Sequence, residues 1–243
     1  MSDRLGSVMN CCFDAAIYEG WQDFGDFDSG EVIAVMSSGL FASARFLNYL
    51  RRRLWDSHGI PSRMGSTFIP WHEEFAPFPY QKLARPLYRC VLKLADEYPD
   101  KKIILIGQSM GARASIAAYV MAESDEKLKN KISQVFALCA PVSGVSRKIW
   151  ESHNNRLAEE SREMLAIVDP KKIVAIQALD DELVPREHSS VPGGVNIPVD
   201  TGHDTAGDVL VEKLIPLFGR IPRRHIALAW HEEVPKIIAK HIR

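Results

Sequence analysis

Long apolar runs are missing from this chain of 243 residues. No stretch reaches the roughly 18 apolar residues that a membrane-spanning helix needs. The opening Met1-Ser2-Asp3-Arg4 is not followed by the apolar core of a signal peptide, so a cytoplasmic protein is expected. An excess of either charge is missing too: 30 Lys+Arg stand against 31 Asp+Glu, a net of −1. Without a basic field, no affinity of the whole protein for nucleic acid is expected. Cysteine is scarce. Cys11, Cys12, Cys90 and Cys139 contain no C-x-x-C, the adjacent pair cannot easily bridge, and Cys139 ends an apolar run. Four reduced thiols are expected. The zinc signature H-E-x-x-H is absent, so no metal is assigned, not even to His72 and Glu73. Internal repeats, low-complexity tracts and long linkers are also missing, which leaves one domain over 1–243.

What is present is an ordinary globular composition, 46% hydrophobic and 25% charged, with a regular pattern after residue 30. Residues 1–30 are turn-rich and irregular. Val32–Met36 is a continuous apolar run, as a strand buried on both faces should be. A helix is expected from about Phe41 to Ser57, stopped by Gly59. Ser66–Ile69 reads as the next strand. A helix with Leu87, Val91, Leu92 and Leu94 follows, with Pro86 in its first turn. Strand Lys102–Ile106, helix Ala112–Glu123, strand Val135–Cys139, a helical stretch from about Lys148 to Ala166, and strands Ile173–Ile176 and Val195–Val199 come next. Helices over about Ala206–Leu217 and Pro235–Ile242 close the chain. This alternation predicts an α/β fold: a mostly parallel central sheet with helices on both faces. In such sheets the chemistry collects at the carboxyl ends of the strands.

One motif sits at such an end. Gly107-Gln108-Ser109-Met110-Gly111 lies between an apolar strand and a helix. A sharp turn there exposes the serine hydroxyl in a strained conformation, and side chains at the glycines would strike neighbouring backbone. The helix N-terminus favours developing negative charge. A serine is a weak nucleophile until a base takes its proton, and the base needs a third group to orient it. After the strand Ile173–Ile176 come Asp180 and Asp181; after Val195–Val199 comes Gly202-His203. The order Ser, acid, His is the one this strand–turn–helix arrangement calls for.

Over residues 31–220 the ordered pattern resembles the α/β-hydrolase family. Asp181-Glu182-Leu183-Val184-Pro185 resembles that family's Asp-x-x-Val-Pro segment, which implies Asp181 as the acid and leaves Asp180 in reserve. Gly202-His203 resembles its histidine loop. The resemblance implies a triad of Ser109, Asp181 and His203, with an oxyanion hole from the backbone N–H groups of Met110 and Leu40. Relatives often carry His where Ser38 and Gln108 stand, and Gly where Ala112 stands.

Phe41, Trp71, His72 and Val142 follow strands and are expected to border the substrate pocket. Residues 146–169 are the only room for a cap, short and highly charged, so the cap is minimal. The tail 220–243 is basic, with Val234, Ile237, Ile238 and Ile242 on one helical face. It is expected to dock on the domain; weak attachment to a membrane surface is the sharper alternative. The expected function is a serine hydrolase that cleaves a carboxylic ester or thioester through an acyl-enzyme, without a cofactor. A non-catalytic binding or scaffold protein on the same fold, or an acyltransferase with the same triad, stands as the alternative.

Overall fold

The computed structural model describes residues 21–39, 47–65, 80–146, 154–202 and 223–242. Seven strands form one sheet: β1 (Gln22–Phe24), β2 (Val32–Ser37), β3 (Ser62–Gly65), β4 (Lys102–Gln108), β5 (Ile132–Leu138), β6 (Ile173–Ala178) and β7 (Val195–Val199). Their order is β1-β3-β2-β4-β5-β6-β7. The short edge strand β1 pairs antiparallel with β3, and every other pairing is parallel. The described helices are α1 (Asn48–His58), α2 (Tyr80–Glu97), α3 (Met110–Glu123), α4 (Asn154–Ile167), α5 (Arg186–Ser189), α6 (Arg223–Ala227) and α7 (Glu233–His241). The expected α/β architecture is present.

The central strands are apolar on both faces, and alternate residues feed two separate cores. Ile33, Val35, Ile103, Leu105, Val135, Ala137, Ile173 and Ala175 pack with Leu87, Val91 and Leu94 of α2, with α3, and with Met164 of α4. Met36, Ile104, Ile106, Phe136, Leu138, Val174 and Ile176 pack with Leu50 and Leu54 of α1, with Leu228 and Trp230, and with Val234 and Ile238 of α7. Helices therefore cover both faces of the sheet. The docked tail is observed here, because α7 buries Val234 and Ile238 in this second core. Helix α4 occupies part of the stretch expected to hold a small cap, and it packs against α3.

Several boundaries differ from expectation for identifiable reasons. The third described strand is Ser62–Gly65, and the strand expected over 66–69 lies outside the described residues. Its four residues, Ser-Arg-Met-Gly, carry no apolar run. Arg63 is nonetheless buried, because its guanidinium reaches Asp23 of β1 at 2.6 Å and Glu97 of α2 at 3.1 Å. Pro86 is interior to α2, not in its first turn. The helix begins at Tyr80, so the proline forgoes one backbone bond on an exposed side of an otherwise well-packed helix. Helix α1 ends as expected at Gly59, with φ 64° and its N–H on the carbonyl of Trp55 at 2.9 Å. The helix expected over 206–217 lies outside the described residues.

Register aligns the strand ends. Ser37 pairs with Gly107, Gln108 with Leu138, Leu138 with Ile176, and Ala178 with Val199. The chain leaves β2 outward to β3 and then returns to β4 on the other side of β2. This reversal opens a crevice between the ends of β2 and β4, the usual location of a ligand site in an open parallel sheet.

Ile238 is fully buried under the second core face. Ile238→Ala is expected to cost roughly 2–5 kcal/mol and to lower the thermal midpoint by about 5–15 °C. Calorimetry of the two proteins checks this, and an unchanged midpoint would show that α7 adds nothing to the fold.

Candidate active site

The crevice holds Ser109. It stands between β4 and α3 with φ 55° and ψ −124°, a combination that costs a side-chain-bearing residue about 1–3 kcal/mol. The conformation persists because backbone on every side is fixed. The Ser109 N–H donates to Leu138 O at 2.8 Å, and its carbonyl accepts from Ala112 N at 3.0 Å. A Cβ on Gly107 would lie 2.4 Å from Ala112 Cα, and one on Gly111 would lie 2.3 Å from Ser38 O. Both glycines of the motif are thus demanded by backbone contact. The Ser37 hydroxyl donates to Gly111 O at 2.9 Å, as does that of Ser115 at 2.9 Å, which fastens the first turn of α3 to the end of β2.

Gly39 sits over Ser109: a Cβ there would be 2.8 Å from Ser109 Cβ and 2.6 Å from Gln108 Oε1. The chain leaving β2 therefore passes directly above the serine. Leu40, expected to offer the second oxyanion donor, lies outside the described residues, as do Phe41, Trp71 and His72. Met110, which carries the first donor, begins α3 and so stands at the helix end that favours anions. Val142 is only 4% exposed and belongs to the first core. Its carbonyl and that of Pro141 accept from the buried Arg113 guanidinium at 3.3 Å. Arg113 also pairs with Glu160 of α4 at 2.8 Å. It ties the segment after β5 and helix α4 to the nucleophile helix.

Asp181 is buried, whereas Asp180 is exposed. Asp181 Oδ1 accepts from Leu183 N and Val184 N, both at 2.9 Å, and its Oδ2 meets His225 Nδ1 at 2.7 Å. Burial alone would raise the pKa of this carboxyl. The hydrogen bond and charge of His225, with the Val184 amide and the Cys139 thiol, outweigh burial and hold it below its ordinary value. An ionised carboxylate can only accept, so His225 Nδ1 carries the proton of this bond.

The histidine on the acid is therefore His225; His203 lies outside the described residues. His225 belongs to α6, and it alone is buried among the described histidines, at 4% exposure. Its segment is held from two sides. The Arg224 guanidinium donates to Thr201 O at 2.7 Å, just past β7, and Gln108 Nε2 donates to His225 O at 3.3 Å. Sequence order could not select it, since five histidines follow Asp181. The usable signal was the apolar run that follows it, Ile226-Ala227-Leu228-Ala229-Trp230, which marks a buried segment.

Cys139, also buried and with φ 46°, completes the surroundings. Its sulfur, an Asp181 oxygen and a His225 nitrogen lie within 4.8 Å of one another, a donor set that zinc accepts. Two features disfavour a metal. A nitrogen–oxygen separation of 2.7 Å is that of a shared proton. Burial and the Asp181 charge push the Cys139 thiol well above its ordinary pKa, so it stays protonated.

Because Asp181 is held low, its contribution to stability is full above the usual carboxylate range near pH 4 and is lost as pH falls through its lower folded value. The gap in unfolding midpoint between the native protein and Asp181→Asn is therefore expected to hold down to about pH 5 and to shrink below about pH 4. Thermal scans from pH 7 to pH 3 check this; a gap independent of pH would show that the carboxylate is not preferentially ionised in the folded chain.

Comparison with known proteins agrees with this architecture. A family model described as Mbeg1-like matches residues 64–180, a span that includes Ser109 and ends one residue before Asp181. No curated protein matches the chain. Among solved structures, the chain is similar to a lipase-esterase related protein from Clostridium acetobutylicum, at 14% identity and a TM-score of 0.57, over 92% of this chain and 99% of that one. It is also similar to the esterase domain of a Rhodothermus marinus protein, at 12% identity and a TM-score of 0.50, over 92% of this chain and 93% of that one. A likeness in which so much of both chains superposes at so little identity is one of backbone architecture, and the fold of this chain is that of the α/β hydrolases.

Proposed function

We propose that this protein is a serine hydrolase that cleaves a carboxylic ester or thioester through an acyl-enzyme, with Ser109 as nucleophile, His225 as general base and Asp181 as the group that orients it. The observation that carries the reading is the buried Asp181–His225 bond of 2.7 Å, on the same sheet edge as a serine held at φ 55°. A binding protein would have no use for a strained serine, a buried ionised acid and a buried imidazole bonded to that acid together. The two solved structures named above are called esterase or lipase-esterase related, which accords with the reading.

In this mechanism His225 Nε2 takes the Ser109 hydroxyl proton as Oγ attacks the acyl carbonyl. Asp181 keeps the imidazole in the tautomer that can accept and stabilises the cation that forms. The oxyanion is met by the Met110 N–H and, by position, by the Leu40 N–H beyond Gly39. His225 then returns the proton to the departing alcohol or thiol, which leaves the acyl group on Ser109. Water, deprotonated by the same imidazole, releases the acid and restores the serine.

A fluorophosphonate probe on the purified protein tests this directly. One phosphonyl adduct on Ser109 is expected by mass, absent from Ser109→Ala. His225→Ala is expected to lower the labelling rate and the hydrolysis of p-nitrophenyl esters by at least about a thousandfold, while His203→Ala keeps most of both. The opposite ranking of the two histidines would return the base to His203. A folded wild-type protein that neither labels nor cleaves short esters or thioesters would turn the assignment to the binding or scaffold alternative.

A further inference from the structure

The residue immediately before the nucleophile touches three separate parts of the site. Gln108 ends β4 and is 3% exposed. Its Nε2 donates to the carbonyl of His225, 117 residues away in sequence, at 3.3 Å. Its Oε1 lies against Gly39, so close that a Cβ there would be 2.6 Å from it. Its own backbone leads straight into the strained turn at Ser109. One planar amide thus bridges the elbow, the loop that leaves β2 and the segment that carries the base.

The segment needs such a brace. Helix α6 has five residues, too few to fix its own position, and His225 lies among its last four, whose carbonyls a helix leaves without intrahelical partners. The Nδ1 bond to Asp181 fixes one atom of the imidazole ring but not its orientation about that atom. Arg224 anchors the segment towards β7, on the far side from the serine strand. The bond from Gln108 ties the backbone of His225 to the strand that leads into Ser109.

We propose that Gln108 is a positioning residue for the base: its amide holds the His225 backbone in register with Ser109 and spaces both from the loop at Gly39. This rests on the assignment of Ser109 and His225 above. Gln108 acts through a carbonyl and touches no reacting atom, so its removal should slow proton transfer without weakening ligand capture.

Gln134 supplies a matched control. It lies on the neighbouring strand β5, is equally buried at 3% exposure, and its Oε1 has no hydrogen-bond partner among the described residues. The experiment compares wild type, Gln108→Met and Gln134→Met with a fluorophosphonate probe, separating the maximal labelling rate from the half-saturating concentration and from the final labelled fraction. For Gln108→Met the maximal rate is expected to fall roughly 10- to 100-fold, the effect of a misplacement of about 1 Å. Half-saturation and the final labelled fraction should stay close to wild type. Partial unfolding would instead lower the labelled fraction, so the split separates positioning from stability. Gln134→Met should label at the wild-type rate. A second readout needs no labelling: the His225 Nδ1 proton shared with Asp181 should give a far-downfield NMR resonance that exchanges faster with solvent in Gln108→Met than in wild type or Gln134→Met. If Gln108→Met does not fold, Gln108→Asn is judged by the same criteria, since its amide is one methylene too short to reach. A maximal rate and a proton exchange both equal to wild type would overturn the proposal. A wild-type chain that shows the resonance but never labels would instead overturn the hydrolase reading and leave the brace to be judged by the exchange comparison.

Discussion

The structure turns on how closely the end of β2 and the first turn of α3 approach each other. Gly111 lets its backbone meet the carbonyls of Ser37 and Ser38, and two hydroxyls, from Ser37 and Ser115, converge on Gly111 O. This contact fixes the N-terminus of α3, and with it the turn at Ser109, whose backbone angles an unconstrained serine would leave. A strained residue survives only where its surroundings over-determine it. Here the surroundings are backbone packed against backbone, and a side chain at either glycine of the motif would force the first turn of α3 away from the strand it meets. The same approach brings Gly39 over Ser109. One close contact thus sets the nucleophile's strain and the position of the loop above it.

Charge is handled in the opposite manner. Ser109 is held by sterics, whereas Asp181 is held by donors. Burial of Asp181 would by itself favour the neutral carboxyl, and four donors reverse that preference: two amides of its own turn, the thiol of Cys139 and the imidazole of His225. Three of them are supplied within three residues of the acid or by the end of the adjacent strand β5. Only the imidazole comes from afar. The acid is therefore set up by local structure, and the remaining problem for the fold is to deliver one histidine to it. Arg224 and Gln108 address that problem by gripping the segment from the ends of β7 and β4. Arg113, deep beneath the site, does similar work on the other flank, joining the segment after β5 to α3 and α4.

The sequence was legible where burial is simple. Strands β2, β4, β5 and β6 are the apolar runs they were expected to be, to within a few residues, because a parallel strand covered on both faces has no polar side to disguise it. It was illegible where polar residues are buried in pairs. Strand β3 hides behind Arg63, whose burial makes sense only once Asp23 and Glu97 stand beside it. Strand β1 is three residues long and exists only as an edge on β3. Pro86 argued for a helix start, and tertiary packing of Leu87, Val91 and Leu94 outweighed it.

The site divides along the same line. Ser109 carries its context in the adjoining residues, strand before and helix after, and Asp181 follows its strand at once. The places of both in the fold were readable from short-range pattern. The contact of His225 with Asp181 was not, because nothing within a few residues of a histidine records which distant carboxylate it will meet. Gly202-His203 satisfied every local criterion: it follows a strand and it comes after the acid. What distinguishes His225 is long-range, namely that the segment it opens is buried in the second core through Leu228, Ala229 and Trp230. That core draws the segment across the sheet and carries the histidine to Asp181. Short-range pattern therefore says little about which histidine meets Asp181, and in this fold the hydrophobic packing of α6 and its 3₁₀ extension is what brings His225, the proposed base, to that carboxylate.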